Sequence, residues 1–208
     1  MYFKTIGTGS SGNCYLIRTW KDKGILLDCG LPYKQILPEI DFVLPDALII
    51  SHNHGDHTKA LKDFQKAGVP VNSCPHCKMF LLNHDEQCWG SLFKYFDKKF
   101  CYITDTAFVH NTFKGVHAFI VECNYIEELL AANEDYSENL KARIRKNHME
   151  LETCKKFLQV NIDESTEHIV LIHLSDSNSD EKRMQREIQE LFPLQKVSVA
   201  KKGMRLEI

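Results

Sequence analysis

The sequence has no apolar run approaching the roughly 20 residues that a membrane-spanning helix needs, so no membrane association is expected. It opens "MYFKTIGTGS", without the basic and then apolar segments of a secretory leader, which points to a cytoplasmic protein. A dominant charge is lacking too: 26 Lys and Arg stand against 28 Asp and Glu, a formal net charge of −2. No global field therefore draws in DNA or RNA, although such a polyanion is not excluded. Repeats, low-complexity tracts and linker-like stretches are also missing, so the 208 residues read as one domain, 1–208.

Cysteine is plentiful, with eight residues, but no pattern of paired motifs accompanies it. Cys14, Cys29, Cys101 and Cys123 fall in apolar, strand-like runs, where a reduced thiol behaves as a small hydrophobe. Cys74 and Cys77 in "SCPHC" form a lone C-x-x-C with no second pair to complete a zinc knuckle. They are expected to be plain reduced thiols.

What is present begins with short strands. "YFKTIGT", "NCYLIRT", "GILLDCG" and "PDALIIS" carry β-branched and aromatic residues over strand lengths, and "SLFKYF", "KKFCYITD" and "HAFIVECN" follow. One helix is expected within the first hundred residues, over "HTKALKDFQKAG". From Tyr125 apolar residues recur at three- and four-residue intervals, so helices dominate to about Val160. A strand "EHIVLIHLS", a helix "SDEKRMQREIQELF" and closing strands in "QKVSVAKKGMRLEI" complete an α/β sandwich.

The most unusual stretch is "IISHNHGDHTKAL". His52 and His54 alternate and so project the same way from an extended segment, while Asp56 and His57 follow Gly55, where the chain can turn. Three imidazoles and a carboxylate within six positions suit zinc, iron or manganese. Two further candidates end apolar strands: Asp105 in "FCYITDT" and His173 in "IVLIHLSDSN". His84 in "LLNHDEQ" has a weaker flanking pattern.

Together these segments resemble the metallo-β-lactamase fold family, and more closely its phosphodiesterase branch of tRNase Z and YycJ-like proteins. "GSSGNCYLI", "LLDCG", "HNHGDH", "YITDT", "ECN" and "HLSDSN" match it in order, from Gly7 to about Asn178. The resemblance implies an αββα sandwich of two packed sheets flanked by helices. It implies two divalent metal ions, zinc first, with manganese or iron as alternatives. His52, His54 and His84 would hold one ion, Asp56, His57 and His173 the other, and Asp105 would bridge them. Attack on a phosphodiester would come from a metal-bound hydroxide oriented by Asp56. In that branch a Glu–His pair protonates the leaving alkoxide, and the matching residues are Glu122 and His148.

The chain departs from the branch around that pair. Asn147, Met149 and Glu150 replace the usual small neighbours of His148, and Tyr125 and Ile126 follow "ECN" where YycJ-like proteins have His-Asp. Nearby, Lys141, Arg143, Arg145 and Lys146 read either as phosphate contacts or as a solvated helix face. The "TGSSGN" loop reads either as a donor of N–H groups and the Ser10 and Ser11 hydroxyls, or as a tight turn. Absence of a Gly/Pro-rich arm argues against full tRNA processing, so the expected substrate is a cyclic nucleotide or a nucleic acid. The alternatives are a metal-dependent hydrolase of a lactone, β-lactam or thioester, and a non-catalytic metal-binding module. A homodimer contacting through residues 125–159 fits the branch.

Overall fold

A computed structural model describes residues 1–19, 23–74 and 76–208. The first half contains β1 (Tyr2–Gly7), β2 (Cys14–Arg18), β3 (Ile25–Leu27), α1 (Tyr33–Glu39), β4 (Ala47–Ile49), α2 (Gly55–Thr58) and α3 (Leu61–Lys66). Next come β5 (Lys78–Leu81), β6 (Trp89–Tyr95), β7 (Lys98–Ile103) and β8 (Ala118–Glu122). Helices α4 (Glu127–Ala132), α5 (Glu138–Asn147) and α6 (Leu151–Asn161) follow, then β9 (His168–Ile172), α7 (Glu181–Leu191), β10 (Lys196–Val199) and β11 (Arg205–Glu207).

The strands form two sheets, ordered β11-β1-β2-β3-β4 and β10-β9-β8-β7-β6-β5. Both faces of the central strands are buried, which is why they read as continuous apolar runs rather than alternating ones. Alternation still decides which layer each side chain enters. Phe100 and Tyr102 pack between the sheets with Phe3, Tyr15, Ile120 and Val170. Their neighbours Cys101 and Ile103 face outward against Leu158 of α6 and Met184 and Ile188 of α7. On the other sheet Leu16, Leu26 and Leu48 pack outward against Ile36 and Phe64. The result is the two-sheet sandwich with helices on both outer faces.

Two elements depart from the expected pattern. Residues 33–39 form α1 although the early chain reads as strands with a single helix. Pro32 and Pro38 obscure its helical spacing, and the buried Ile36 anchors it. Strand β5 is a four-residue edge strand, and its apolar run Met79, Phe80 and Leu81 is too short to mark a strand by alternation. The single helix expected over residues 57–68 is two, because the Ala60 N–H turns aside to the Cys29 carbonyl at 3.0 Å.

All eight cysteines are free thiols. Cys14 and Cys101 lie within strands, while Cys29 and Cys123 sit just past strand ends, all four buried. Cys74 and Cys77 are half-buried, burial raises both thiol pKa values, and neither belongs to a metal-capable cluster among the described residues. No helix among the described residues is long and apolar enough to cross a membrane.

Strands β7, β8 and β9 are parallel, so their C-terminal ends share one edge. Carboxyl ends of parallel strands are where open α/β sheets expose polar groups to ligands. Asp105, Glu122 and His173 all lie at that edge, and β4 delivers His52 from the opposing sheet.

Candidate metal centre

The seven candidate metal ligands converge there, with Glu122 and His148 beside them. His52 Nε2 lies 2.8 Å from His54 Nδ1, and His84 Nε2 lies 3.5 Å from the same atom. Asp105 Oδ2 approaches His57 Nε2 at 2.7 Å and His52 Nε2 at 3.3 Å, and Asp56 Oδ2 is 3.4 Å from His57 Nε2. On its other oxygen, Asp105 Oδ1 is 2.8 Å from His173 Nδ1. Two ligand-capable trios result, His52–His54–His84 and Asp56–His57–His173, each with donor atoms within 4.8 Å of one another. Asp105 joins groups containing members of both.

Three non-glycine residues with positive φ stand around this edge: Asp28 at 53°, Asp105 at 47° and His173 at 56°. Each turns the chain sharply just after a strand and presents its side chain at the sheet edge. Such backbone costs on the order of 1–3 kcal/mol and persists where surrounding structure demands it.

Two carboxylates orient the imidazoles from behind. Asp28 is fully buried and accepts from the Ser51 N–H at 2.8 Å, the Ser51 hydroxyl at 2.9 Å and the Tyr102 hydroxyl at 2.5 Å. His57 Nδ1 lies 2.6 Å from the same carboxylate, which leaves Nε2 for the centre. Asp28 is the residue that reading the sequence missed as a contributor. Its signal is an aspartate directly after the apolar run "ILL", a place where a charge needs several partners. Asn13 is another, its amide nitrogen 3.0 Å from His57 Nε2.

Glu122 plays the matching part for the other side. Its Oε1 is 2.7 Å from His148 Nδ1 and 2.9 Å from His173 Nδ1, while Oε2 accepts from the Thr106 and Met149 N–H groups. Burial works against charge on His148, but Glu122 and Asp105 outweigh it and push its pKa up to about 10. The same contest, with Asp105 foremost, pushes His173 up to about 9. Burial likewise opposes ionisation of Asp105, yet His173 and His57 hold its carboxyl well below the usual range. His52 lacks a dominant anion, and burial draws it down to about 4.

The donor set fits divalent metal ions. His173 Nε2 is buried with no hydrogen-bond partner, an arrangement that proteins rarely leave uncompensated. Imidazoles and carboxylates packed this closely suit borderline divalent ions.

A cleft of about 240 Å³ opens over the centre, lined on the metal side by His54, Asp56, His84, Asp105 and His173. Helix α5 roofs it with Leu140, Arg143, Ile144 and Asn147, and His148 stands immediately past the helix end. Of Lys141, Arg143, Arg145 and Lys146, left open as phosphate contacts or a solvated face, Arg143 lines the cleft, paired with Asp85 at 3.4 Å. Arg145 instead grips Glu127, and Lys141 is buried with its ammonium on the Ala131 carbonyl. Ser10 lines the cleft, while the rest of its loop makes a turn closed by Gly12 N–H to the Gly9 carbonyl at 3.0 Å.

A two-sheet sandwich with helices outside and a His/Asp cluster at one edge of its sheets defines a metal-dependent hydrolase class. The profile of the Metallo-beta-lactamase superfamily matches residues 7–123, and the chain belongs to that superfamily. Solved structures share its fold over the whole chain at low identity. YhfI from Bacillus subtilis, a metallo-beta-lactamase fold protein, superposes with a TM-score of 0.71 at 16% identity, covering 100% of this chain and 99% of YhfI. A diphosphatase of the PhnP family gives 0.65 at 12%, covering 100% and 97%. Human tRNase Z, short form, gives 0.60 at 15%, covering 100% and 99%. No curated protein sequence matches this chain closely enough to count as a relative.

Proposed function

We propose that the protein is a binuclear metal-dependent phosphodiesterase acting on a compact phosphodiester, a cyclic nucleotide or a nucleic-acid end. The observation that carries this reading is the Glu122–His148 pair beside the His/Asp cluster. A thioester expels a thiolate, which leaves without a proton donor. Cleavage of an alkyl phosphodiester releases an alkoxide that requires one.

In this reading His52, His54 and His84 would hold one ion and Asp56, His57 and His173 the other, with Asp105 available to both. Zinc is the first candidate on donor chemistry. Bound divalent ions supply Lewis acidity toward phosphoryl oxygens and activation of water at neutral pH. Asp56 is partly exposed at the cleft, where its free oxygen would accept a hydrogen bond from the attacking water and orient it. Glu122 holds His148 through Nδ1, so the proton for the departing oxygen sits on Nε2. Arg143 and Ser10 border the space for the phosphate and its substituents.

A second cleft of about 320 Å³ adjoins the first, sharing Ser10, Ile144, His148 and His173. Two lobes meeting at His148 and His173 suit a phosphorus with a substituent on either side. Metal content and turnover test the reading together. About two ions per chain at the His52–His173 centre, with hydrolysis of bis(p-nitrophenyl) phosphate, supports it. Two ions without any phosphodiesterase activity would favour lactone or thioester hydrolysis instead. His148→Ala refines the test: p-nitrophenolate leaves without a proton, so that activity should largely survive. An unactivated diester should slow by about 10²–10⁴-fold.

A further inference from the structure

The same two strands that carry Glu122 and His173 at their ends carry a second imidazole–carboxylate group at their starts. His117 immediately precedes β8, Glu167 immediately precedes β9 and His168 opens it, about 16 Å away by the rise of a five-residue strand. We propose that His117, Glu167 and His168 form a separate site for a borderline divalent ion of the zinc type, clamping the beginnings of β8 and β9.

The geometry is already assembled. Glu167 and His168 donate their N–H groups to the His117 carbonyl at 2.9 and 3.2 Å, so the three backbones are locked together. One donor atom from each side chain lies within 4.8 Å of the others, and His117 Nδ1 is 3.6 Å from Glu167 Oε1. That separation is close to the edge of a tetrahedron whose bonds are about 2.0–2.2 Å. His117 and His168 are only 7% and 8% exposed, whereas Glu167 is exposed and free to close over an ion. His168 Nδ1 is buried with no hydrogen-bond partner, a donor atom lacking a counterpart. Burial, the first cause in each case, lowers both imidazole pKa values, His168 to about 4, which favours the uncharged rings that metal binding uses.

Cations surround the group and set its affinity. Lys98 Nζ lies 3.0 Å from His117 Nε2, Lys196 also acts on His168, and Asp97 offsets them in part. An ion on His117 Nδ1 requires the ring proton on Nε2, so the Lys98 ammonium must swing away. Lys98 is thus a built-in competitor, and removing it should tighten the site.

The test is equilibrium dialysis of the full chain against Zn²⁺, with metal counted by mass spectrometry. Wild type should hold one more ion than His168→Asn, with the ions at the His52–His173 centre retained in both. Glu167→Gln should weaken the additional site about tenfold or more, and Lys98→Ala should strengthen it severalfold. Equal ion counts in folded wild type and His168→Asn would overturn the proposal. Should His168→Asn fail to fold, Glu167→Gln and Lys98→Ala decide alone. Both are surface changes, and identical zinc binding in them and in wild type would equally overturn it.

Discussion

Asp28 and His57, 29 residues apart in sequence, meet at 2.6 Å in a fully buried contact behind the candidate metal centre. The aspartate takes no part in the cleft. It fixes which nitrogen of His57 faces the His/Asp cluster, and it does so from a strained left-handed backbone position with φ of 53°. Ser51 and Tyr102 complete its coordination, so the carboxylate ties both sheets to the histidine loop.

Replacing Asp28 with Asn tests that role, because Asn tolerates the same backbone region. The amide can no longer accept from the Ser51 N–H and hydroxyl, Tyr102 and His57 all at once. Metal affinity is expected to fall about 10–100-fold. Dialysis against a chelator series gives the constant, and circular dichroism verifies the fold. Unchanged affinity in a folded variant would remove Asp28 from the centre's support.

Gly30 shows how closely the histidine loop is seated. A Cβ built there would stand 1.6 Å from the Asp56 carbonyl oxygen and 2.2 Å from its carbon. The same contact region holds Asn13 N–H to the Asp56 carbonyl at 2.8 Å and Cys29 N–H to the His57 carbonyl at 2.8 Å. Backbone cannot yield as a side chain does, so Gly30→Ala must push the "HNHGDH" turn away. A cost of about 3 kcal/mol or more is expected, read as a fall in Tm together with lost metal. A variant as stable and as metal-loaded as wild type would contradict this packing.

Arg143 separates substrate binding from chemistry. It is exposed, lines the cleft and makes one long ion pair with Asp85, so Arg143→Ala should cost little stability. If it holds a phosphate oxygen of the bound diester, KM rises about tenfold with kcat nearly constant. An unaltered KM would return Arg143 to the solvated helix face.

Much of this centre is legible in the sequence because its ligands stand beside strong local signals. His52 to His57 follow the apolar β4 run, and Asp105 and His173 each terminate an apolar strand. The supporting groups are harder to see. Asp28 gains its meaning only from Tyr102, 74 residues away, and from Ser51, partners that no periodicity predicts. Helix α1 is hidden by its two prolines, and edge strand β5 by its shortness. His84 follows only the short edge strand β5, so the resemblance alone suggests it as a ligand, and its approach to His54 is visible only in the fold. The role of α5 as a roof over the cleft is likewise tertiary, since its charged face reads equally well as solvated.

Glu122 unites the two sides of the proposed chemistry, and its replacement should separate them. Its four close partners are all donors: two imidazole N–H groups on Oε1 and two backbone N–H groups on Oε2. Glu122→Gln puts an NH₂ on one side or the other. Facing Thr106 and Met149, it opposes two backbone donors that have no alternative. Facing His148 and His173, it loses the acceptor that holds both rings. Either way the buried network loses acceptors, at about 1–3 kcal/mol for each group left unsatisfied. The kinetic signature distinguishes a role in proton delivery from simple instability. Assayed well below the variant's Tm, hydrolysis of an unactivated diester should fall by about 10²-fold or more, with bis(p-nitrophenyl) phosphate much less affected. An equal loss on both substrates would mean that Glu122 serves only to orient His173, and that His148 delivers no proton.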